Sequence, residues 1–179
     1  PAIMLNNEWK YKVMYSQPGR PSPPLPTERD IPGLLYNGMI HPLEPFQFRG
    51  AIWYQGESNN DRAGQYRHLS ETMITDWRKQ FANADFDFFY VQLAGMNNNW
   101  PGWIEIMEAQ QKTLEVPHTG MAVAGDIGDA GNIHPTNKKD VGHRLALIAR
   151  AKTYGEKVVY SGPTLASASA DGSAAIVNF

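Results

Sequence analysis

The chain has no cysteine, which excludes disulfides, thiolate metal sites and a cysteine nucleophile while leaving the redox compartment open. No run approaches the ~18 apolar residues that a membrane-spanning helix needs. Residues 1–12 lack the basic start and apolar core of a signal peptide. A dominant charge is missing as well: 16 basic against 18 acidic residues leave a net charge of −2 without long runs. That balance gives no footprint for nucleic acid or an anionic membrane, and suits small neutral or modestly charged ligands better. The G-x-S-x-G nucleophile elbow is absent too, because Asn60 stands where the second glycine would follow Ser58. Ser58 is therefore a weak candidate nucleophile.

What the chain does hold is aromatic: five Trp, eight Tyr and seven Phe. Such side chains mostly pack cores, and they also stack on the apolar faces of sugars. At 179 residues and 20.0 kDa the length fits one domain with its own core. The sequence opens on Pro1 rather than Met and stops at Phe179 just after an apolar segment, so both ends read as cut.

Residues 1–15 give a weak strand or irregular signal. Residues 16–32, with Pro18, Pro21, Pro23, Pro24, Pro26 and Pro32, read as a long surface excursion, since proline lacks the donor that helices and ladders require. Leu34, Leu35, Met39 and Ile40 predict a short helix before Pro42 that leads into a central strand. Ala51-Ile52-Trp53-Tyr54 is a nearly continuous apolar run, the pattern of a strand covered on both faces in a parallel sheet. Residues 64–82 place Tyr66, Leu69, Met73, Ile74, Trp77 and Phe81 at helical spacing. A second strand is expected over 87–94, a loop over 95–102, and a helix over 103–116 ended by Pro117. A third strand is expected over 119–125, then a helix over 137–154 with Gly155 past its end.

Strand, loop and helix thus recur three times, the signature of parallel βαβ units in a three-layer α/β fold. From residue 158 onward short β-type runs flank the Asp171-Gly172 turn with no helix, which reads as the start of an appended β-rich segment. The expected boundaries are 1–157 and 158–179.

Two stretches carry chemistry. Residues 49–60 read RGAIWYQGESNN, so Gln55, Gly56, Glu57, Ser58 and Asn59 sit at the carboxyl end of a strand, the edge where open α/β sheets build their sites. The plainer reading makes Gly56 the turn and Ser58 or Asn59 a helix cap. Residues 125–135 read GDIGDAGNIHP, placing Asp126, Asp129 and His134 at another strand end. A carboxylate can fix a histidine's tautomer and make it a general base. His41, His68, His118 and His143 read as plain surface residues. One histidine with flexibly spaced carboxylates is a poor metal set, so neither a metal nor an organic cofactor is implied.

Taken in order, IWYQGESN and GDIGDAGNIHPTNKKDVGHRLAL resemble the sialate O-acetylesterase family within the SGNH hydrolases, a family also seen among bacterial acetyl-sugar esterases. The resemblance covers residues 34–155 and is supported by LYNGMI, by Asp76-Trp77-Arg78 and by Glu108 to Gln110. It implies a flavodoxin-like parallel sheet flanked by helices, and a serine esterase that removes acetyl groups from sugar hydroxyls of sialic acid or polysaccharide units. His134 matches the catalytic histidine. Gln55 sits where the family is expected to place an oxyanion-hole amide, and Gly56, Glu57 and Asn59 match the rest of that motif. Export to the periplasm or cell surface follows from the resemblance only.

Two positions depart from the family pattern. Gly131 stands where an Asp usually precedes the histidine by three, so the acid falls to Asp126, with Asp129 close behind, or the site runs as a Ser-His dyad. The family's serine lies in a turn after the first strand, and no such turn is present here. The expectation is a sheet lacking its first strand, with the nucleophile upstream of Pro1 and the fragment itself inactive. The rival reading is a non-catalytic carbohydrate-binding or scaffold protein that holds sugar on the loops around Trp100 and Trp103.

Overall fold

A computed structural model describes residues 31–97 and 100–179. The readings made for residues 1–30 lie outside the described residues. The chain divides into two units, residues 1–43 and 44–179. In the first, the expected helix is an irregular one: a π-helical turn spans Tyr36–Ile40 and a 3-10 turn spans His41–Leu43. Gly38 lowers helix propensity inside the turn, and Pro42 cannot donate to an α-helical ladder.

The second unit alternates strand and helix. Strand β1 is Gly50–Trp53, helix α1 Ala63–Gln80, strand β2 Asp87–Val91, helix α2 Trp103–Lys112, strand β3 Thr119–Ala122 and helix α3 Lys138–Lys152. The three strands are parallel in the order β1-β2-β3, with Trp53 beside Tyr90 and Tyr90 beside Met121. All five residues of β2 are buried, and alternation sends them to opposite faces. Phe88 and Tyr90 join Ile74, Phe86 and Met121, with Trp53 and Trp77 packed against them, under α1. Phe89 and Val91 join Ala122, Leu145 and Ile148 under α3. Burying each such side chain contributes about 1.5–3 kcal/mol, so β2 is the spine of the three layers.

The sheet corrects the reading of residues 51–54 as a central strand buried on both faces. β1 is the outer strand among the described residues, and Ile52 is 71% exposed. Helix α3 packs over β2 and β3 rather than β1. An open groove of about 200 Å³ therefore remains between Ile52, Phe89, Ala149 and Tyr154. The apolar run was a sound strand signal, but its continuity could not say which neighbours would cover it.

The helix ends follow local chemistry. Asn137 caps α3 by accepting the Asp140 N–H at 3.2 Å, while its own amide donates to the Asp140 carboxylate at 2.7 Å. Past the helix, Gly155 takes a left-handed φ of +70° and Glu156 N–H closes on the Arg150 carbonyl at 2.9 Å. Strands β4, Ser167–Asp171, and β5, Ala174–Asn178, form an antiparallel hairpin around Gly172-Ser173, and every one of their residues is exposed. The expected C-terminal β-rich segment is thus a two-stranded hairpin.

Candidate functional site

The loops that leave the carboxyl ends of β1, β2 and β3 build the site. After β1 the chain turns at buried Gly56, whose φ of +153° and ψ of −21° suit glycine alone. A 3-10 helix, Glu57–Arg62, follows, and neither Ser58 nor Asn59 caps α1. The capping reading is therefore corrected. Asn59 instead accepts the Gln55 side-chain amide at 2.8 Å, and the Asn60 amide donates to the Glu57 carbonyl at 2.6 Å. Self-pairing of short polar side chains competes with capping and winds the loop tightly.

The Gln55 carbonyl is fixed from below by two side chains, the Tyr66 hydroxyl at 3.1 Å and the Gln110 amide at 3.2 Å. The loops after β2 and β3 are locked by backbone approach. A Cβ on Gly128 would overlap the Gly95 carbonyl oxygen, and Asn97 N–H donates to the Ala130 carbonyl at 3.1 Å. Only glycine permits this contact.

The β3 loop then forms a tight turn. Asp129 accepts the Gly131 N–H at 2.9 Å through Oδ1 and the Asn132 N–H at 3.2 Å through its carbonyl. Asn132 in turn holds the His134 N–H at 2.9 Å. Ile133 turns inward and packs against the cluster of Tyr66, Leu93, Trp103 and Ile106. With Ile133 anchored, the next residue, His134, is delivered outward and exposed.

His134 opens into a cavity of about 450 Å³ whose other walls are Tyr54, Glu57, Ser58, Ile133 and Lys138. The fold therefore brings His134 to the 55–59 loop from a separation of more than seventy residues. Lys138 Nζ lies 4.6 Å from the centre of the Tyr54 ring, a cation-π distance. Burial, then the Glu57 charge, raises the Tyr54 hydroxyl pKa, so Tyr54 stays a protonated donor.

Asp126 and Asp129 do not line this cavity. Both Asp126 oxygens take Arg144 guanidinium donors at 2.6 Å, and that pairing holds its carboxyl down to about 2. Asp129 serves its own turn. The carboxylate that shares the cavity with His134 is Glu57.

Several pairings escaped sequence reasoning, although Gln110, Lys138 and Arg144 lie in stretches that carry the resemblance. Arg144 lies 18 residues from Asp126 and Gln110 lies 55 from Gln55, and no local pattern links positions so far apart. Lys138 sits in the first turn of α3, where a cation opposes the helix dipole. That misfit, together with its place in the 125–147 stretch, could have marked it.

The sequence model of the family described as carbohydrate esterase, sialic acid-specific acetylesterase matches residues 28–150. Sialate O-acetylesterase of Mus musculus is 38% identical over 160 residues, covering 77% of this chain and 29% of that protein. The Homo sapiens sialate O-acetylesterase is 37% identical over 152 residues, again covering 29% of the relative. The crystal structure of a carbohydrate acetylesterase from Xanthomonas citri superposes with a TM-score of 0.78 at 49% identity, over 82% of this chain and 36% of that one. The chain thus spans about a third of the length of the relatives it matches. With more than half of its residues inside the family match, and a solved acetylesterase superposing on 82% of it, the chain belongs to the carbohydrate esterase family of sialic acid-specific acetylesterases.

Proposed function

We propose that this chain supplies the histidine half of a carbohydrate O-acetylesterase site. The observation that carries the reading is the cavity in which His134 meets Glu57 and Ser58; Gln55 and Asn59 stand beside it on the same loop, bonded to each other at 2.8 Å and not among its walls. In the reaction a serine outside the described residues attacks the acetyl carbonyl and His134 takes its proton. The oxyanion that develops is met by donors of the 55–59 loop, Gln55 foremost. The sugar alkoxide leaves with the proton returned by His134, and water attacks the acetyl-serine to release acetate. Because Asp126 is committed to Arg144, Glu57 is the carboxylate we place as the partner that stabilises protonated His134.

Fluorophosphonate labelling of the natural protein that contains this chain tests the reading, with the labelled peptide mapped by mass spectrometry. The expected result is one labelled serine outside residues 1–179, lost in His134→Ala. Labelling should slow more in Glu57→Gln than in Asp126→Asn. Label on Ser58 would overturn the placement of the nucleophile. Absence of label on folded protein, together with sugar binding that releases no acetate, would favour a non-catalytic carbohydrate-binding role. The exposed Trp100, 5.7 Å from Trp103 between ring centres, is the feature that supports that second reading.

A further inference from the structure

Gln110 is 1% exposed on α2 and does not line the His134 cavity. Burying an amide costs free energy unless its polar atoms are paired, and here they are. Oε1 accepts the Leu93 N–H at 2.9 Å, while Nε2 donates to the carbonyls of Gln55 at 3.2 Å and Val91 at 3.3 Å. The Gln110 main-chain carbonyl is itself held by the Tyr90 hydroxyl at 2.8 Å, and burial pushes the Tyr90 pKa up, so that donor keeps its proton. At Gly56 a Cβ would come within 3.1 Å of Nε2, so the loop backbone is seated directly on the amide. One side chain thereby ties the carboxyl ends of β1 and β2 together beneath the site.

We propose that Gln110 is the positioning residue of the 55–59 loop. By fixing the Gln55 carbonyl it sets the backbone from which the Gln55 side chain reaches Asn59, and with it the donors offered to the oxyanion. The catalytic consequence rests on the esterase reading; the structural one does not.

Two readouts test it. In the natural protein, Gln110→Met should lower kcat by about 10²-fold while KM stays within about twofold, as displacement of a reacting group does. Gln110→Glu keeps the shape: protonated it can donate to the Gln55 carbonyl, ionised it cannot, and burial raises the pKa of such a carboxyl. Its kcat relative to the parent at each pH should therefore rise as pH falls. A residue that merely fills space would give a ratio independent of pH. In the same natural protein, the side-chain amide NMR signals of Gln55 and Asn59 should shift in Gln110→Met and titrate in Gln110→Glu. Unmoved Gln55 and Asn59 signals in folded variants, or a flat kcat ratio, overturn the proposal. If the parent releases no acetate from sugar esters, the esterase reading falls alone, and the NMR titration still decides the role of Gln110.

Discussion

Ala82 and His118 hold left-handed φ angles of 49° and 55° without being glycine. At the end of α1 the Ala82 N–H reaches the Lys79 carbonyl at 3.2 Å and the Asn83 N–H reaches Arg78 at 3.0 Å, the paired bonds of a Schellman motif that glycine normally completes. The left-handed conformation costs a Cβ-bearing residue about 1–2 kcal/mol, and glycine's larger unfolded-state entropy returns part of that. Ala82→Gly should therefore raise stability by roughly 0.5–1 kcal/mol in urea unfolding, and a lowered midpoint would refute the strain. His118 is held differently: its ring lies 3.4 Å from Asp85 and 3.7 Å from Asp87, so it is an exposed but partnered residue rather than a plain surface one. Asp126 shows the same scale acting through charge. Its folded pKa of about 2 lies below the ordinary 3.8 because Arg144 hydrogen-bonds the ionised form. The pair's stabilisation is fully present above the unfolded pKa and is lost as pH falls through the interval down to the folded value. The stability gap between parent and Asp126→Asn should hold steady above about pH 5 and close toward pH 2. A gap unchanged by acid would remove the ion pair from the account.

At the scale of elements, β3 and α3 meet through a missing side chain. A Cβ on Gly120 would lie 2.5 Å from Ile148 and 3.0 Å from Phe89. Packed interiors yield little to such intrusion, so Gly120→Ala should cost about 1–3 kcal/mol. Changing Ile148 to Leu in the same chain should recover part of that loss, because it removes the Cγ2 methyl that the new Cβ would meet. Independent, additive effects of the two substitutions would show that the contact is not shared. The helix stripes were legible in this respect: Tyr66 and Ile74 are buried, with Met73, Trp77 and Phe81 packed beside them. Leu69 belongs to the same expected stripe and is 48% exposed. The period of 3.6 residues fixes a face, but the width of the neighbouring layer decides how much of that face is covered.

Across the molecule, stability should grade outward from β2. Its backbone is paired on both sides and its side chains are buried on both faces, whereas β1 has one partner strand among the described residues and the β4–β5 hairpin buries no residue. Amide hydrogen exchange should be slowest at Phe88 to Val91, intermediate in β1 and fastest in the hairpin, since an isolated two-stranded hairpin is marginal on its own. Hairpin amides as protected as those of β2 would mean that the segment belongs to the same cooperative unit. No helix among the described residues is long and apolar enough to cross a membrane.

Local chemistry was enough to read the strand-loop-helix repeat, the parallel three-layer class and the two polar stretches at Gln55 and His134, because periodicity, glycine and proline act within a few residues. Long-range packing decided the rest. It made β2 rather than β1 the buried strand, since coverage depends on where α3 lies and not on the apolar run itself. It engaged Asp126 with Arg144 and left Glu57 facing the His134 cavity, since ion pairs form between whichever groups the register brings together. It also set Gln110 under the Gln55 loop, because a buried amide takes its partners from the ends of neighbouring strands, and only the folded sheet places those ends side by side.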